Sequence, residues 1–349
     1  MKKFTTATTD IKKRRILRVV PVLAAAGILS VVLTGCDSSD EEVQRYSWPL
    51  ATASPEDTVT QLFAEKFAEE VSDLSNGKMK IQVYANSTLG GDRDLLETCS
   101  DGDIPFVVQN TAPQVSFMSD LAVFDLPCVF DSLDDCRKKI DDPEFYSLIS
   151  DVYTDGGYHL LGMADQGFRV MSTNKAVNSF ADFKGQKIRT MENSYHLAFW
   201  KALGANPTPM SFSEVYIGLQ QHTIDAQENP YEVIVSNNLY EQQDYVVETN
   251  HLPHLISLIV NDEFFKDLPE DEQEIMTEAA QLATEYAREQ SDARIADKIA
   301  TIKESGTEII TLSDETRKEI REASKGVYES IREVIDPAIY NSYMDGIEE

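Results

Sequence analysis

The chain has 349 residues, 42% of them hydrophobic, and a net charge of −29. A strongly negative surface repels a phosphate backbone, so the charge argues against nucleic acid as a partner. The length exceeds what one hydrophobic core usually organises, and we therefore expect two domains.

The N-terminal segment has the pattern of an export signal. A basic stretch precedes an uncharged apolar run at 19–33, which is shorter than a membrane-spanning helix needs and is followed by small residues. The ending "LTGC" matches the signal of bacterial lipoproteins, in which the cysteine, here Cys36, is lipidated. We therefore expect a signal peptide at 1–35, a lipid anchor on the outer face of the cytoplasmic membrane, and a polar tether at 36–45. A short anchor left uncleaved is the alternative.

The segment after the tether alternates helix and strand patterns. In "SPEDTVTQLFAEKFAEEVSDLSNGK" apolar residues recur at spacings of three and four, which predicts a helix that starts at Ser54 and Pro55 and stops at Gly77. "KMKIQVYAN" alternates as a strand does, "DRDLLETCS" predicts a short helix, and "IPFVVQNT" is an apolar run. This order is typical of an α/β sheet with helical crossovers.

The rest of the chain continues this alternation and contains one long helix. Strand patterns such as "FRVMSTN", "GQKIRTMEN" and "DYVVETN" surround the helix "SYHLAFWKALG", and Ser211 with Glu214 has the capping-box spacing of a helix start. From Pro269 to about Ser305 the spacing predicts one helix, long enough at about 1.5 Å per residue to run across two domains. A strand, "TEIITLS", and a helix, "DETRKEIREASKGVYESIREVI", close the chain.

Signatures of catalysis and of metal or cofactor binding are missing from the sequence. It contains no phosphate-loop glycine pattern, dinucleotide fingerprint, paired-histidine zinc motif or serine elbow. His251 and His254 lie in "NHLPHL", where the proline argues against a shared helix face, so we interpret them as ordinary polar residues. Nothing in the residues points to a metal or a cofactor. An exported carbohydrate-active enzyme that hides an acid pair stays open as an alternative.

Three cysteines, Cys99, Cys128 and Cys136, follow Cys36. In an exported chain, Cys128 and Cys136 are candidates for a disulfide that closes the loop "CVFDSLDDC" and leaves Cys99 free. Packed free thiols are the alternative. The spacing fits no zinc motif.

A resemblance to a known family is carried by the segment from Lys187 to Leu252. It contains "KIRTMEN", "ALGANPTPMSFSEVYIGLQQHTIDAQENP" and "YVVETNHL" in that order. This resembles the extracytoplasmic solute-binding proteins of tripartite ATP-independent periplasmic (TRAP) transporters. "SNGKMKIQVYANSTLGGDRDLLE" and "AVFDLP" extend the resemblance through the N-terminal half, so that it covers essentially all of the chain after the tether.

The resemblance implies a two-lobed α/β fold, like that of periplasmic binding proteins, which closes on its ligand as a clam shell does. The long helix would be shared by both lobes. We expect lobe 1 to comprise 46–166 and about 253–292, and lobe 2 to comprise 167–252 and about 293–349.

The resemblance also implies function. The protein would bind a small organic acid without catalysis and pass it to the small and large membrane subunits of a permease that an ion gradient, usually of sodium, drives. A monomer is expected. A sensory subunit with the same fold and no permease is an alternative.

Arg189 is the first candidate for a ligand contact. Residue type alone suggests a surface charge at a strand end. In the family, however, the arginine of the "KIR" motif pairs with the ligand carboxylate, and Arg189 stands at that position. A guanidinium offers a planar fork of donors that matches a carboxylate through two parallel bonds, which lysine cannot reproduce.

The same resemblance implies five further contacts. Arg169 in "GFRVMSTN" matches a second arginine near the carboxylate, with a surface charge as the alternative, and Phe212 in "MSFSEVY" matches an aromatic pocket wall, with a core residue as the alternative. Asn229 in "DAQENP" matches an amide that reaches the ligand. Asp92 in "LGGDRD" and Asn110 in "VVQNTAP" match polar contacts from the first lobe.

Glu192 and Asn193 suggest the class of acid. Sialic-acid binders resemble "RVPN" after the arginine, whereas this chain has "RTMEN". A carboxylate and an amide suit ligand hydroxyl groups, and a carboxylate repels a second carboxylate on the ligand. We therefore predict a hexuronate or related sugar acid ahead of a C4-dicarboxylate, unless Glu192 points away from the cleft.

Overall fold

The computed structural model describes residues 46–347. The expected signal peptide, Cys36 and the tether lie outside these residues. Within 46–347, no helix combines the length and the apolar character that crossing a membrane requires.

The strands of the described chain form two sheets. They are β1 (Tyr46–Ala51), β2 (Met79–Tyr84), β3 (Phe106–Asn110), β4 (Tyr158–Phe168), β5 (Val170–Thr173), β6 (Lys187–Thr190), β7 (Asn206–Pro209), β8 (Ala226–Asn229), β9 (Tyr245–Glu248), β10 (Pro253–Asn261) and β11 (Glu308–Thr311). The first sheet has the order β2-β1-β3-β10-β4 and the second β11-β9-β5-β8-β6-β7.

The α-helices connect and cover these strands. They are α1 (Val59–Leu74), α2 (Asp92–Ser100), α3 (Leu133–Ile140), α4 (Pro143–Asp155), α5 (Ser194–Ala202), α6 (Val215–Gln220), α7 (Tyr231–Ser236), α8 (Asp262–Asp267), α9 (Glu270–Glu304), α10 (Asp314–Arg332) and α11 (Pro337–Met344). This alternation confirms the predicted α/β class.

Each sheet combines parallel pairs with one antiparallel strand in its interior. In the first sheet β1 runs parallel to β2 and β3, whereas β10 runs antiparallel to β3 and β4. In the second, β6 runs parallel to β7 and β8, whereas β5 runs antiparallel to β8 and β9. The antiparallel strands belong to the segments that cross from one sheet to the other.

The long helix α9 joins the two lobes, as predicted. Its early residues Met276 and Ala283 are fully buried in the apolar cluster that also holds Phe67 of α1 and Ile256 of β10. Further along, Ile302 is buried with strands of the second sheet. One 35-residue helix therefore contributes to a core on each side.

Two further segments cross between the sheets. A single residue, Arg169, separates β4 from β5, and the segment 249–252 leads from β9 to β10. The fold is therefore two-lobed, and these two segments and α9 link the described strands of one sheet to those of the other. After the last strand, α10 packs on α5 of the second lobe, whereas α11 packs on α4 of the first. The exact lobe boundaries at 166, 252 and 292 stay a prediction.

Helix starts differ from the sequence prediction in two places. Helix α1 begins at Val59, where the Thr58 side chain accepts a hydrogen bond from the Gln61 amide, rather than at Ser54. Ser211 caps no amide with its side chain; a 3-10 turn at Phe212–Glu214 leads into α6 instead. Ser54 and Pro55, which precede α1, line the cleft described below.

The structure does not contain the expected disulfide between Cys128 and Cys136. Both residues, like Cys99, are free thiols. Cys136 is buried on α3 within the core. Cys128 lies in a loop with a left-handed backbone, φ +60°, and its amide donates to the His251 carbonyl. Burial raises the pKa of the Cys128 thiol to about 12 and also raises the pKa of Cys136, so both are held as packed thiols.

Gly162 tests the packing of α9 on the first sheet. A Cβ at this position of β4 would lie 2.4 Å from Thr284 Oγ1 and 3.6 Å from the Ala280 carbonyl oxygen. We expect Gly162→Ala to lower the free energy of unfolding, measured by urea titration, by about 1–3 kcal/mol, because the Thr284 side chain or the helix that carries it must move.

The matched control is the same change in a Thr284→Ala background, which removes the nearest atom. In this background, Gly162→Ala should lower the free energy of unfolding clearly less than it does when Thr284 is present. A cost below about 0.5 kcal/mol in the natural background would contradict close packing at this point.

Candidate ligand-binding cleft

A cavity of about 430 Å³ lies between the two lobes. Residues from both sheets line it, and they are Ala53, Ser54, Pro55, Asp92, Asn110, Arg189, Met191, Phe212, Asn229, Val233 and His254. Five residues predicted from the motifs are therefore brought together: Asp92, Asn110, Arg189, Phe212 and Asn229.

Strand direction explains why these residues meet. Asn110 ends β3, Asn229 ends β8, and Arg189 is the next-to-last residue of β6. Ligands of open α/β sheets bind outside the carboxyl ends of parallel strands, where loops diverge and side chains point into a crevice. The cavity occupies that place in both sheets at once.

Arg189 carries the unpaired positive charge of the cleft. Its Nε and Nη2 atoms donate to the Met210 carbonyl oxygen at 2.9 and 2.6 Å, which fixes the side chain. Its Nη1 atom is enclosed and has no hydrogen-bond partner among the described residues. Burial lowers the pKa of Arg189 to about 10, so the group stays cationic at neutral pH. An enclosed guanidinium nitrogen without an acceptor indicates a place for an anion.

Phe212 forms the wall beside this arginine. Its ring centre lies 5.9 Å from the Arg189 guanidinium carbon. An aromatic face at this distance attracts the cation and excludes water from one side of it. The remaining approach to the guanidinium is from the cavity.

Asp92 supplies an acceptor to the same cavity. It is the first residue of α2 and is half-buried, and it forms no ion pair within the described part of the chain. Burial raises the pKa of its carboxyl group to about 6, against the opposing attraction of Arg189 and Arg169. The group is therefore ionised at neutral pH but titrates within the physiological range.

Two amides complete the polar lining. Asn110 is anchored by donation from Nδ2 to the Leu255 carbonyl at 2.8 Å, and Asn229 by donation from Nδ2 to Gln227 Oε1 at 2.6 Å. Each amide nitrogen has two hydrogens, so one remains available at each. These hydrogen bonds hold each amide in place and leave it one hydrogen with which to donate to a ligand.

Arg169 belongs to the buried framework of the cleft. It is buried behind the cleft and does not line the cavity. Its Nε and Nη2 pair with the Glu228 carboxylate, Nη2 also donates to Asn229 Oδ1 at 3.1 Å, and Nη1 contacts His254 Nδ1. All three nitrogens are engaged, and Asn229 and His254 connect Arg169 to the lining of the cavity.

Asn193 connects the two lobes. Its Oδ1 accepts from the amides of Tyr195 and His196, which caps α5. Its Nδ2 donates to Asp125 Oδ2 at 2.6 Å and to the Ala112 carbonyl at 2.9 Å, both in the first lobe. No polar atom of the amide is left for a ligand.

Glu192 lines an adjoining cavity and not the main one. It is exposed, and the adjoining cavity, of about 730 Å³, shares Asp92, Arg189 and Phe212 with the main one. Its carboxylate therefore lies beside the main cavity.

His254 is the functional candidate that sequence reasoning missed. It is only 5% exposed, yet it lines the cavity beside Arg189 and Asn229. The sequence feature that could have pointed to it is its place in the motif "NHLPHL", directly after the proline that starts β10. Ser54 and Pro55, expected at a helix start, also belong to this lining.

A buried ionic network lies beneath the cleft and joins the lobes. His196 of α5 sits between two carboxylates, with Nε2 3.1 Å from Asp125 Oδ1 and Nδ1 3.5 Å from Glu228 Oε1. His251 Nε2 lies 3.1 Å from Glu228 Oε2. Burial opposes the charged form of His196, but the two carboxylates outweigh it and raise its pKa to about 9. His196 is therefore a cation that ties Asp125 of the first lobe to the second.

The fold and the cleft define a two-lobed solute-binding protein. A family model described as "Bacterial extracellular solute-binding protein, family 7" (DctP) matches residues 50–333. The chain belongs to this family, the solute-binding proteins of TRAP transporters, and is a binding protein, not an enzyme.

Known relatives agree with this assignment. A solute-binding protein of Verminephrobacter eiseniae is 33% identical over 254 residues, which cover 72% of this chain and 76% of the relative. The sugar acid binding protein DctPAm of Advenella mimigardefordensis, solved with galactonate, has a TM-score of 0.83 and 30% identity, covering 86% of this chain and 97% of its own. A TRAP periplasmic solute binding protein of Shewanella oneidensis, solved with succinate, has a TM-score of 0.82 and 25% identity, covering 86% and 99%.

The raised pKa of His196 gives stability a pH dependence of known sign. The charged form is favoured in the folded state, so its contribution is complete below the unfolded value of 6.5 and is lost as pH rises through about 9. We expect the protein to lose, between pH 6 and pH 10, on the order of 3 kcal/mol more unfolding free energy than a His196→Gln variant does.

Urea titrations of both proteins at several pH values measure this difference. His222→Gln, a change at an exposed histidine, should follow the natural protein throughout. Parallel curves for the natural protein and His196→Gln would show that His196 is not charged in the folded state.

Proposed function

We propose that the protein captures a sugar acid with a single carboxylate between its lobes and delivers it to a TRAP permease. The observation that carries this proposal is the enclosed, unpartnered Nη1 of Arg189 in the interlobe cavity. A buried donor of an ionised group that lacks an acceptor needs one from outside the protein, and its place in the interlobe cavity favours a ligand as the source.

The geometry around Arg189 favours a carboxylate as that acceptor. Met210 occupies Nε and one hydrogen of Nη2, which leaves the edge formed by Nη1 and the second hydrogen of Nη2. Two parallel donors on one edge match the two oxygens of a carboxylate. The cation is held by the protein before the ligand arrives, so little side-chain entropy is lost on binding.

The rest of the lining favours hydroxyl groups over a second charge. Asp92 in the cavity and Glu192 beside it are acidic, and Asn110 and Asn229 each keep an amide hydrogen. Carboxylates accept from hydroxyls but repel another carboxylate. The solved relatives include one with galactonate and one with succinate, so both chemistries occur among proteins of this fold. Asp92 is our reason for placing a hexuronate or aldonate ahead of a C4-dicarboxylate.

The site continues into the adjoining cavity. The two cavities have Asp92, Arg189, Met191 and Phe212 in common. A six-carbon acid whose carboxylate pairs with Arg189 would extend along this shared lining. Phe212 would then pack against the apolar face of the carbon chain.

The cellular setting is part of the proposal. A lipid on Cys36 would hold the mature protein at the outer face of the cytoplasmic membrane, and the tether at 36–45 would give it reach. A monomer would release the acid to the small and large membrane subunits of the permease. Family membership supports this arrangement.

Arg189 provides the direct test of carboxylate binding. We expect Arg189→Lys and Arg189→Ala each to weaken binding of the preferred acid by about 100-fold or more, because neither residue restores the paired donors. Calorimetric titration with galacturonate, glucuronate, gluconate and succinate measures the loss and identifies the preferred acid.

Two controls separate binding from folding. Arg321→Ala removes a surface arginine paired with Asp131 and should bind as the natural protein does. Thermal unfolding without ligand should change little in the Arg189 variants. Unchanged affinity in Arg189→Ala, or heat from succinate alone in the natural protein, would sink the proposal.

Asp92 provides the test of selectivity. Asp92→Asn should weaken sugar-acid binding by about tenfold, since a charged acceptor is replaced by a neutral one, and should strengthen binding of succinate. In the natural protein, affinity for succinate should rise as pH falls through about 6, where Asp92 becomes neutral.

Asp103→Asn, an exposed carboxylate away from the cleft, is the matched control and should change neither affinity. Calorimetry at pH 5 and pH 8 compares the two ligands. If Asp92→Asn left the preference between sugar acid and succinate unaltered, Asp92 would not be the selecting group.

A further inference from the structure

His254 is a histidine whose proton position the structure fixes. Arg169 Nη1 lies within hydrogen-bond distance of His254 Nδ1, and both side chains are buried. A guanidinium has donors and no acceptor. The Nδ1 atom must therefore offer its lone pair, and the proton of the neutral ring must be on Nε2.

The ring is also held neutral. Burial lowers the pKa of His254 well below its usual range, and the positive charge of Arg169 lowers it further. A proton added to Nδ1 would point at the guanidinium. His254 thus differs from His196, which two carboxylates keep charged.

The Nε2 atom is free and accessible. It has no hydrogen-bond partner in residues 46–347, and it is not one of the fully enclosed polar atoms that lack a partner. It therefore retains solvent access although the whole residue is only 5% exposed. His254 lines the interlobe cavity, so this access opens toward the ligand.

We propose that His254 is a specificity-determining ligand contact, a neutral imidazole that donates from Nε2 to an oxygen of the bound acid, and that Arg169 is the positioning residue that fixes this tautomer. The inference rests on the proposed function, because it deepens the account of the same cleft. It assigns to Arg169 an action through His254 in place of direct contact with the carboxylate.

The chemistry selects for an oxygen acceptor near the carboxylate end of the ligand. Either a carboxylate oxygen or the hydroxyl oxygen on C2 can accept from Nε2. An acid that offers no such oxygen leaves a desolvated donor unpaired, and sites of this kind reject such analogues strongly. Because His254 is neutral, it selects for this oxygen without placing a second positive charge beside Arg189.

The first experiment tests the tautomer without any ligand. Nitrogen-15 NMR of the imidazole groups, with His254 assigned by its loss in His254→Gln, should show a protonated Nε2 and an unprotonated Nδ1 from pH 5 to pH 8. A proton on Nδ1, or titration within this range, would overturn the inference. This result does not depend on whether the proposed function is right.

The second experiment tests the contact. We expect His254→Leu, which keeps much of the volume but has no donor, to bind D-gluconate about tenfold more weakly. His254→Gln, which keeps a donor, should restore much of the affinity. His159→Gln, at a histidine that stacks on Phe265 away from the cleft, should bind normally.

Titration with 2-deoxy-D-gluconate identifies the accepting oxygen. If His254→Leu binds this acid as tightly as the natural protein does, the accepting oxygen is that of the C2 hydroxyl. If His254→Leu still binds it more weakly, the accepting oxygen belongs to the carboxylate. Equal binding of both acids by His254→Leu and the natural protein, within about twofold, would overturn the inference. If the natural protein binds neither acid, the proposed function fails for this class, and the NMR result alone decides the state of His254.

Discussion

The buried carboxylate of Glu228 is the charge on which the arrangement of both lobes depends. A charge fully removed from water is tolerated only when it is paired and hydrogen-bonded, and three cations or donors surround this one. Arg169 comes from the crossing between β4 and β5, His196 from α5, and His251 from the crossing between β9 and β10. These partners, with burial opposing them, hold the pKa of Glu228 well below its usual range. Arg169 is thereby paired within the protein, whereas Arg189 keeps a nitrogen without a hydrogen-bond partner among the described residues.

The elements that sequence predicted well are those with a clear local period. Strand β2 alternates, and α9 repeats at three and four, because each presents one face to a core. Strand β10 escaped the sequence reading, since it is buried along its whole length and its continuous apolar run has no alternation. The start of α1 was misplaced because Ser54 and Thr58 are both suitable caps, and only tertiary packing decides which one is used.

The cleft was predictable in its chemistry and less so in its geometry. The motifs identified Arg189, Asp92 and Asn229 as neighbours in space, although their contact with a ligand remains a prediction. Residue type does not state which way a side chain points, so Asn193, which caps a helix and bridges the lobes, was indistinguishable from a ligand amide. His254 was missed because its contact with Arg169 joins residues 85 positions apart in the chain.

The crossing at Arg169 also interrupts the first sheet. Gly167, two residues before Arg169, has φ +85°, and strand β10 breaks register at the same level, between Pro253 and Leu255, opposite Phe168. The regular pairing of β4 with β10 therefore ends where the chain passes to the second sheet. His254 lies in this break, so its backbone is placed by the irregularity itself and not by a regular ladder of strand pairs.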